Sequence, residues 1–326
     1  MKVAQIGTGY WGKNHARVWK ELKEEGMIED IILVDVREEA VEPLAKNLGL
    51  EYMTDADRIP SDFDAVDIVA PTPLHYSLSM KFMEKGMDVM VEKPMTATLE
   101  ESGKLVDFAE KNGNILMPGH LFRYHPALNY VKKMVNEGNF GRIFYMKTTR
   151  SALRVPRTDM GVLLALAIHD VDTYSYVLER KADSVLCSVE ENIWKGVEDV
   201  AHLRMDYGET TGYIFESWLS PIGNKVREFQ IAGESMSARI DYLKPDIIEI
   251  YESGLTHEGD DYRLHNEGVR TITIPYKEPL KEELKAFVRS VKTRERPVSD
   301  MYAGMNAVEL IEKAAESART GRKIGL

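Results

Sequence analysis

The stretch K-V-A-Q-I-G-T-G-Y-W-G-K-N-H-A-R-V-W, residues 2–19, decides how the rest of the chain is read. An apolar run meets Gly7, Gly9 and Gly12, spaced G-x-G-x-x-G, and then an amphipathic segment that predicts a helix ending at Gly26. In this spacing the first glycine permits a tight turn, the second lets the main chain approach a pyrophosphate, and the third lets helix pack on strand. The start of the helix then offers N–H groups without intrahelical partners to phosphate oxygens. Asp35 ends the next apolar run, D-I-I-L-V-D-V, 23 residues after Gly12. A carboxylate there accepts hydrogen bonds from ribose hydroxyls and repels a 2′-phosphate, so the two signals together predict NAD in preference to NADP. Arg37 acts the other way, since a guanidinium near the same hydroxyls could accept a phosphate.

Outward from this segment, the first 120 residues alternate short apolar runs with amphipathic stretches, through A-V-D-I-V-A-P, D-V-M-V-E-K-P and I-L-M-P-G-H. That rhythm predicts a doubly wound parallel sheet with right-handed crossovers. After about Pro126 it changes to long, partly alternating runs with Y-G-E-T and A-G-E-S as turn signals, which predict an antiparallel sheet. Two helices close the chain, within 278–296 and 306–321. The expected organisation is α/β, with a cofactor domain over 1–120 and a substrate-binding and oligomerisation α+β domain over 121–326.

Composition narrows the function classes. The 326 residues are 44% hydrophobic, enough for a substantial core. The longest apolar run, M-G-V-L-L-A-L-A-I, stops at His169 and Asp170, short of a membrane span. The amino terminus enters a strand without a basic, cleavable leader, and the single cysteine, Cys187, excludes an internal disulfide. A cytoplasmic protein without a membrane partner is expected. The net charge of −11 opposes a nucleic-acid partner. Two glutamines beside many Lys and Glu lean toward a thermophile.

Chemistry beyond the cofactor has three candidate segments. In V-E-K-P, Glu92 and Lys93 close the fourth core strand, at the strand ends where ligands of open α/β sheets collect. A lysine with a pKa lowered by burial can exchange a proton with a reacting hydroxyl; a solvated loop lysine is the competing reading. In G-V-L-L-A-L-A-I-H-D-V-D, positions 165, 169 and 172 share one helical face, and His169 is either an acid–base group or a core histidine. In A-P-T-P-L-H, Thr72 and His75 either line the nicotinamide side or simply cap a turn. His169 and Asp172 lack a third and fourth ligand nearby, so no metal is predicted.

Taken together, G-T-G-Y-W-G-K-N-H, Asp35, A-P-T-P-L-H, V-E-K-P, G-H-L-F-R-Y-H-P-A and G-V-L-L-A-L-A-I-H-D-V-D resemble the Gfo/Idh/MocA oxidoreductase family over nearly the whole chain. The resemblance implies a Rossmann domain followed by a domain with a large open sheet that builds dimers or tetramers, and NAD(P)-dependent oxidation or reduction of a sugar or cyclitol hydroxyl. It assigns Gly7, Gly9, Tyr10, Trp11, Gly12 and Asp35 to the cofactor, and Thr72, His75, Glu92 and His120 to the ribose and nicotinamide border. Lys93 and His169 would be catalytic, with the bond before Pro94 often cis. G-H-L-F-R-Y-H-P-A and the basic stretch from Arg150 to Arg157 most resemble UDP-N-acetylglucosamine 3-dehydrogenases. On that likeness a UDP-sugar is the expected substrate, with Arg123, Arg154 and Arg157 meeting its diphosphate or hydroxyls and Asp172 beside the sugar. One position departs from the pattern: the family carries aspartate where this chain has Ala165, which removes a proton-relay partner for His169 and implies slowed chemistry. Inositol or free-sugar oxidation and a catalytically silent NAD-binding sensor are the alternatives.

Overall fold

A computed structural model of the protein describes residues 1–259 and 261–326. The chain forms two compact units, Met1–Tyr124 with Glu278–Val308, and His125–Lys277 with Glu309–Leu326.

The first unit runs β1 (Lys2–Ile6), α1 (Gly12–Glu24), β2 (Asp30–Val34), α2 (Glu38–Leu48), β3 (Glu51–Met53), β4 (Ala65–Ile68), α3 (His75–Glu84), β5 (Asp88–Glu92), α4 (Leu99–Asn112) and β6 (Leu116–Gly119). Its strands pair in parallel in the order β3-β2-β1-β4-β5-β6. The order reverses between β1 and β4, which opens a crevice at their carboxyl ends. Strands buried on both faces read as near-continuous apolar runs, as β1, β2 and β4 do apart from Gln5, Asp67 and the first residues Lys2 and Asp30. Helix α4 shows how local sequence sets limits: the Thr98 side chain accepts from Glu101 N, and Gly113 ends the helix in the left-handed region.

The second unit contains α5 (Pro126–Asn136), β7 (Ile143–Ala152), a π-helical turn (Leu163–Ala167) and α6 (Ile168–Leu178). It continues with β8 (Ser184–Glu190), β9 (Val200–Tyr207), β10 (Thr210–Ser217), β11 (Lys225–Gly233), β12 (Ser237–Asp241), β13 (Ile247–Glu258), β14 (Asp261–Thr273) and β15 (Ile324–Gly325). Among the described residues these build a nine-stranded sheet, β14-β13-β12-β11-β7-β10-β9-β8-β15, antiparallel except for β7 beside β10. One face is covered by α6, where the Tyr174 hydroxyl donates to Tyr213 O (2.7 Å). A Cβ at Gly212 would stand 2.6 Å from the Tyr174 ring, so only glycine admits that contact. The opposite face leaves Tyr145, Leu186 and Tyr213 exposed.

The division differs from the expected cut at residue 120. Helix α7 (Pro279–Thr293) belongs with the first unit, and α8 (Met301–Thr320) begins there. The reason is packing on α1: Trp19 meets Phe287 edge to face (6.5 Å), Lys281 reaches Glu21 (2.8 Å), and Arg17 pairs with Glu278. Arg294 then forks onto the carboxylate of Asp88 at the start of β5. Phe287→Ala is expected to destabilise the protein by about 3–5 kcal/mol, read from the denaturant midpoint. Lys281→Ala, which removes only a surface pair, should cost less than about 1 kcal/mol.

Candidate active site

The cofactor loop is built from sterics. Gly7 sits at φ 103°, and a Cβ on it would lie 2.5 Å from Val69 O; one on Gly12 would lie 2.3 Å from Gly7 O. Gly9 faces open space within 4 Å, which leaves its backbone approachable. Buried Gln5 fastens both ends of the loop, its Nε2 donating to Gly7 O (2.9 Å) and Gly12 O (2.8 Å). Asp35, 8% exposed, accepts at Oδ2 from Thr8 N and Thr8 Oγ1 (both 2.9 Å) and at Oδ1 from Arg37 N (3.0 Å). Burial alone would raise its pKa, but these donors hold it below the ordinary value and keep the carboxylate charged. The Arg37 guanidinium leans on the same carboxylate (3.4 Å). Thr8, Gly9, Tyr10, Lys13, Arg37 and Asn47 contribute to a concavity of about 470 Å³ beside them. An open backbone at Gly9, a helix start and an anchored aspartate fit a dinucleotide.

Beneath the loop lies a charge chain that the sequence reading did not include. His15 Nδ1 is 2.8 Å from Asp67 Oδ2, and its Nε2 is 3.2 Å from Glu92 Oε1. Trp19 Nε1 donates to Asp67 Oδ2 (2.7 Å), and Trp11 Nε1, from the glycine loop, donates to Glu92 Oε1 (2.8 Å). All these groups but Trp11 are buried. Burial opposes charge on His15, yet Asp67 and Glu92 outweigh it and raise its pKa to about 10. Burial likewise pushes Glu92 up, and the His15 hydrogen bond and charge bring it below the ordinary value. An imidazolium thus stands between two carboxylates. Two cues point to it in the sequence: a histidine three residues after Gly12, and an aspartate inside the apolar run of β4.

Glu92 Oε2 accepts from Lys93 N (3.1 Å), and the Lys93–Pro94 bond is cis. Lys93 is half-buried at the carboxyl end of β5. Gly119, opposite Glu92 on β6, is held to glycine by the Glu92 carboxylate, 2.9 Å from where its Cβ would be. His120 follows it and is buried, and Thr72 is half-buried beyond the end of β4. His75, expected at the same border, opens α3 and is buried. Its ring turns inward, with Nδ1 2.7 Å from Pro94 O and Nε2 2.8 Å from Ala70 O, so it braces one strand-end loop against another. Burial lowers its pKa.

In the second unit the single stripe expected of 165, 169 and 172 is broken. Ala165 lies in the π-helical turn, where i→i+5 bonding shifts the register, while His169 and Asp172 lie on α6. His169 is half-buried; Asp172 is buried, near enough to Tyr207 for its charge to add to the burial that raises the tyrosine pKa. Glu198 starts the turn, accepting from Leu163 N (3.1 Å) and filling the space a side chain at Gly161 would need. Asp170 is buried in a two-point pair with Arg150 (2.7 and 2.9 Å). Beside them Glu216 is buried, and burial followed by the Asp170 charge raises its pKa well above the ordinary value. Of the expected substrate arginines, Arg123 in the first unit donates to Val298 O (2.8 Å), Arg157 is forked onto Asp159 (2.9 and 2.6 Å), and Arg154 lies over Trp218, 5.3 Å from the ring centroid. Among the described residues no three His, Cys, Asp or Glu side chains gather to hold a metal ion, and no helix is long and apolar enough to cross a membrane.

A phosphate cradle at the reversal point of a parallel sheet defines the class, an NAD-binding oxidoreductase with a Rossmann fold. Residues 1–120 match the Gfo/Idh/MocA oxidoreductase family, NAD-binding Rossmann fold, and residues 132–326 match its C-terminal alpha/beta domain; the chain belongs to this family. It is 31% identical over 173 residues to UDP-N-acetylglucosamine 3-dehydrogenase of Acidithiobacillus ferrooxidans, a stretch covering 53% of this chain and 52% of that protein, about half of each. It is 27% identical over 343 residues to scyllo-inositol 2-dehydrogenase (NAD(+)) of Bacillus subtilis, covering 100% of this chain and 96% of that one. The fold is shared with the solved UDP-N-acetylglucosamine 3-dehydrogenase from Acidithiobacillus ferrooxidans (TM-score 0.82, 22% identity, 98% of both chains). It is shared too with levoglucosan dehydrogenase in complex with NADH and levoglucosan (TM-score 0.85, 20% identity, 100% and 99%).

A pKa raised from 6.5 to about 10 means His15 stabilises the fold fully below pH 6.5, and the contribution disappears as pH rises towards 10. The unfolding free energy of the wild type relative to His15→Asn is expected to decline across that window, by up to about 1.4 kcal/mol per pH unit. A difference independent of pH would contradict a charged His15. Asp35→Asn keeps an acceptor for Thr8 but removes the repulsion of a 2′-phosphate. Calorimetry should show the NADPH-to-NADH affinity ratio rising on the order of tenfold.

Proposed function

We propose that this oxidoreductase removes hydrogen from a secondary hydroxyl of a sugar, namely the 3-hydroxyl of UDP-N-acetylglucosamine or a related UDP-sugar. The observation that carries the reading is the placement of Lys93: half-buried, at the end of β5, on a peptide fixed by Glu92, which the cofactor loop also grips through Trp11. Oxidation of a carbinol removes a proton from oxygen and a hydride from carbon. Lys93, as the free amine, takes the proton, and the ketone forms as the C–H pair departs. NAD, when bound, supplies the hydride acceptor. Gly7, Gly9, Gly12, Tyr10 and Asp35 hold the dinucleotide, and Thr72 and His120 border its nicotinamide end. In the second unit His169 hydrogen-bonds the sugar hydroxyl. The nucleotide-sugar assignment is supported by the likeness to the Acidithiobacillus ferrooxidans enzyme and by Arg154, a cation without a carboxylate partner among the described residues.

The exposed face of the large sheet supports a homodimer. Tyr145 and Tyr213 meet edge to face (6.3 Å), and Tyr213 lines a shallow concavity of about 810 Å³ with His202 and Phe215, which lie 4.7 Å apart. A flat aromatic surface of this kind is suited to a second copy of itself.

In the presence of NAD, UDP-N-acetylglucosamine is expected to raise the melting temperature, and no shift with any UDP-sugar would overturn the substrate assignment. Ala165→Asp should increase turnover at least about tenfold by restoring a partner for His169, and Lys93→Ala in that background should abolish it. Turnover that stays near zero in Ala165→Asp with NAD binding intact would instead support a sensor. NADH production from myo-inositol alone would favour a polyol substrate.

A further inference from the structure

Trp11 stands where a helix start normally carries a capping residue. It is the N-cap of α1, yet its side chain makes no bond to the helix backbone. Ser, Thr, Asp or Asn at this position would satisfy an N–H of the first turn. The indole is turned to the interior instead. It meets His15 edge to face (6.0 Å), packs against the buried cluster that contains Trp19 and Phe287, and donates from Nε1 to Glu92 Oε1 (2.8 Å). Indole nitrogen is a donor only, which matches it to a carboxylate.

The Glu92 carboxylate receives bonds on its two oxygens from different parts of the chain. Oε1 takes the Trp11 indole and lies 3.2 Å from His15 Nε2, while Oε2 takes the peptide N–H of Lys93 (3.1 Å). The two oxygens are fixed in one plane, so a rotation that moves one moves the other. Little slack is left around them: Oε1 lies 2.9 Å from where a Cβ on Gly119 would stand, and Glu92 is only 6% exposed. Hydrogen bonds to an ionised carboxylate are also the stronger kind. The glycine loop thus reaches the peptide that carries the amine through one rigid group. His15 grips the same oxygen from within α1, whereas Trp11 belongs to the phosphate cradle itself.

We infer that Trp11 is a positioning residue for Lys93: through Glu92 it sets the lysine peptide according to whether the glycine loop is occupied; this rests on the proton-accepting role given to Lys93 above. Phosphate in the cradle then orders the peptide that carries the amine ahead of any sugar, which is the pre-alignment that a proton transfer needs.

The test is amide hydrogen exchange at Lys93, followed by NMR on the full chain with and without saturating ADP. ADP carries the adenosine and diphosphate of the dinucleotide but no nicotinamide, so it fills the cradle without placing a ring at the lysine. In wild type, ADP should slow exchange of the Lys93 amide on the order of tenfold. Trp11→Phe keeps an aromatic ring for packing and lacks the donor. It should still bind ADP by calorimetry and melt close to wild type, with the slowing reduced to less than about twofold. With Ala165→Asp present and UDP-N-acetylglucosamine as substrate, Trp11→Phe should also lower kcat about tenfold while KM for NAD stays within about twofold. Equal slowing in Trp11→Phe, or none in wild type, would overturn the link through Trp11 and leave the role of Lys93 standing. Turnover that survives Lys93→Ala would overturn that role and the positioning function with it, even where ADP slows the amide in wild type alone.

Discussion

A buried charge is tolerable only when it is paired, and in the first unit the pairing of His15 with Asp67 and Glu92 fixes the machinery. The three residues come from α1, β4 and β5, so their mutual attraction ties the helix of the glycine loop to two strands across the point where sheet order reverses. Deleting His15 leaves two uncompensated carboxylates in the core, whereas deleting either carboxylate leaves the imidazolium with one partner, so the histidine is the member on which the set depends. Its two outer contacts are functional: Trp11 belongs to the cofactor loop, and the Glu92 carboxylate accepts the N–H of Lys93. The loop that receives phosphates and the turn that carries the amine therefore move as one piece.

The second unit solves a similar problem with a different charge count. Arg150 is paired with buried Asp170, and Glu216 is buried beside them, its pKa raised well above the ordinary value by burial and then by the Asp170 charge. The same pair sets where α6 begins on the sheet, and Glu198, by capping the π-helical turn, sets how the chain enters it. Position on this face is thus fixed by buried electrostatics more than by helix periodicity.

This explains what was legible in the sequence. The alternation of strands and helices, the glycine fingerprint and Asp35 express local periodicity and sterics, which survive in one dimension. Strand β3, with three residues, is too short to carry a period, and β14, with Tyr262 and Leu264 both exposed, lacks a clean apolar face. The return of α7 to the first unit depends on Trp19 meeting Phe287 across some 270 residues, which no local pattern encodes. His15 and Asp67 were visible as polar intrusions in apolar segments, but their partnership is a tertiary fact. The contacts of His75 were hidden for a related reason: a turn position suggests exposure, whereas its ring satisfies two carbonyls inside.

The alanine at 165 gains meaning from the carboxylates around it. An acid at position 165 would orient the His169 imidazole and share its proton, and the carboxylates of this segment have contacts of their own. Asp170 is locked to Arg150, Asp172 is buried towards Tyr207, and Glu198 holds the backbone of Leu163, its pKa raised chiefly by burial. Moving any of them to serve the imidazole would break a buried ion pair or uncap the turn, costs of several kcal/mol against a general acid–base gain of comparable size. On the proposed chemistry the transfer of the hydroxyl proton falls to Lys93, whose peptide N–H is held by Glu92.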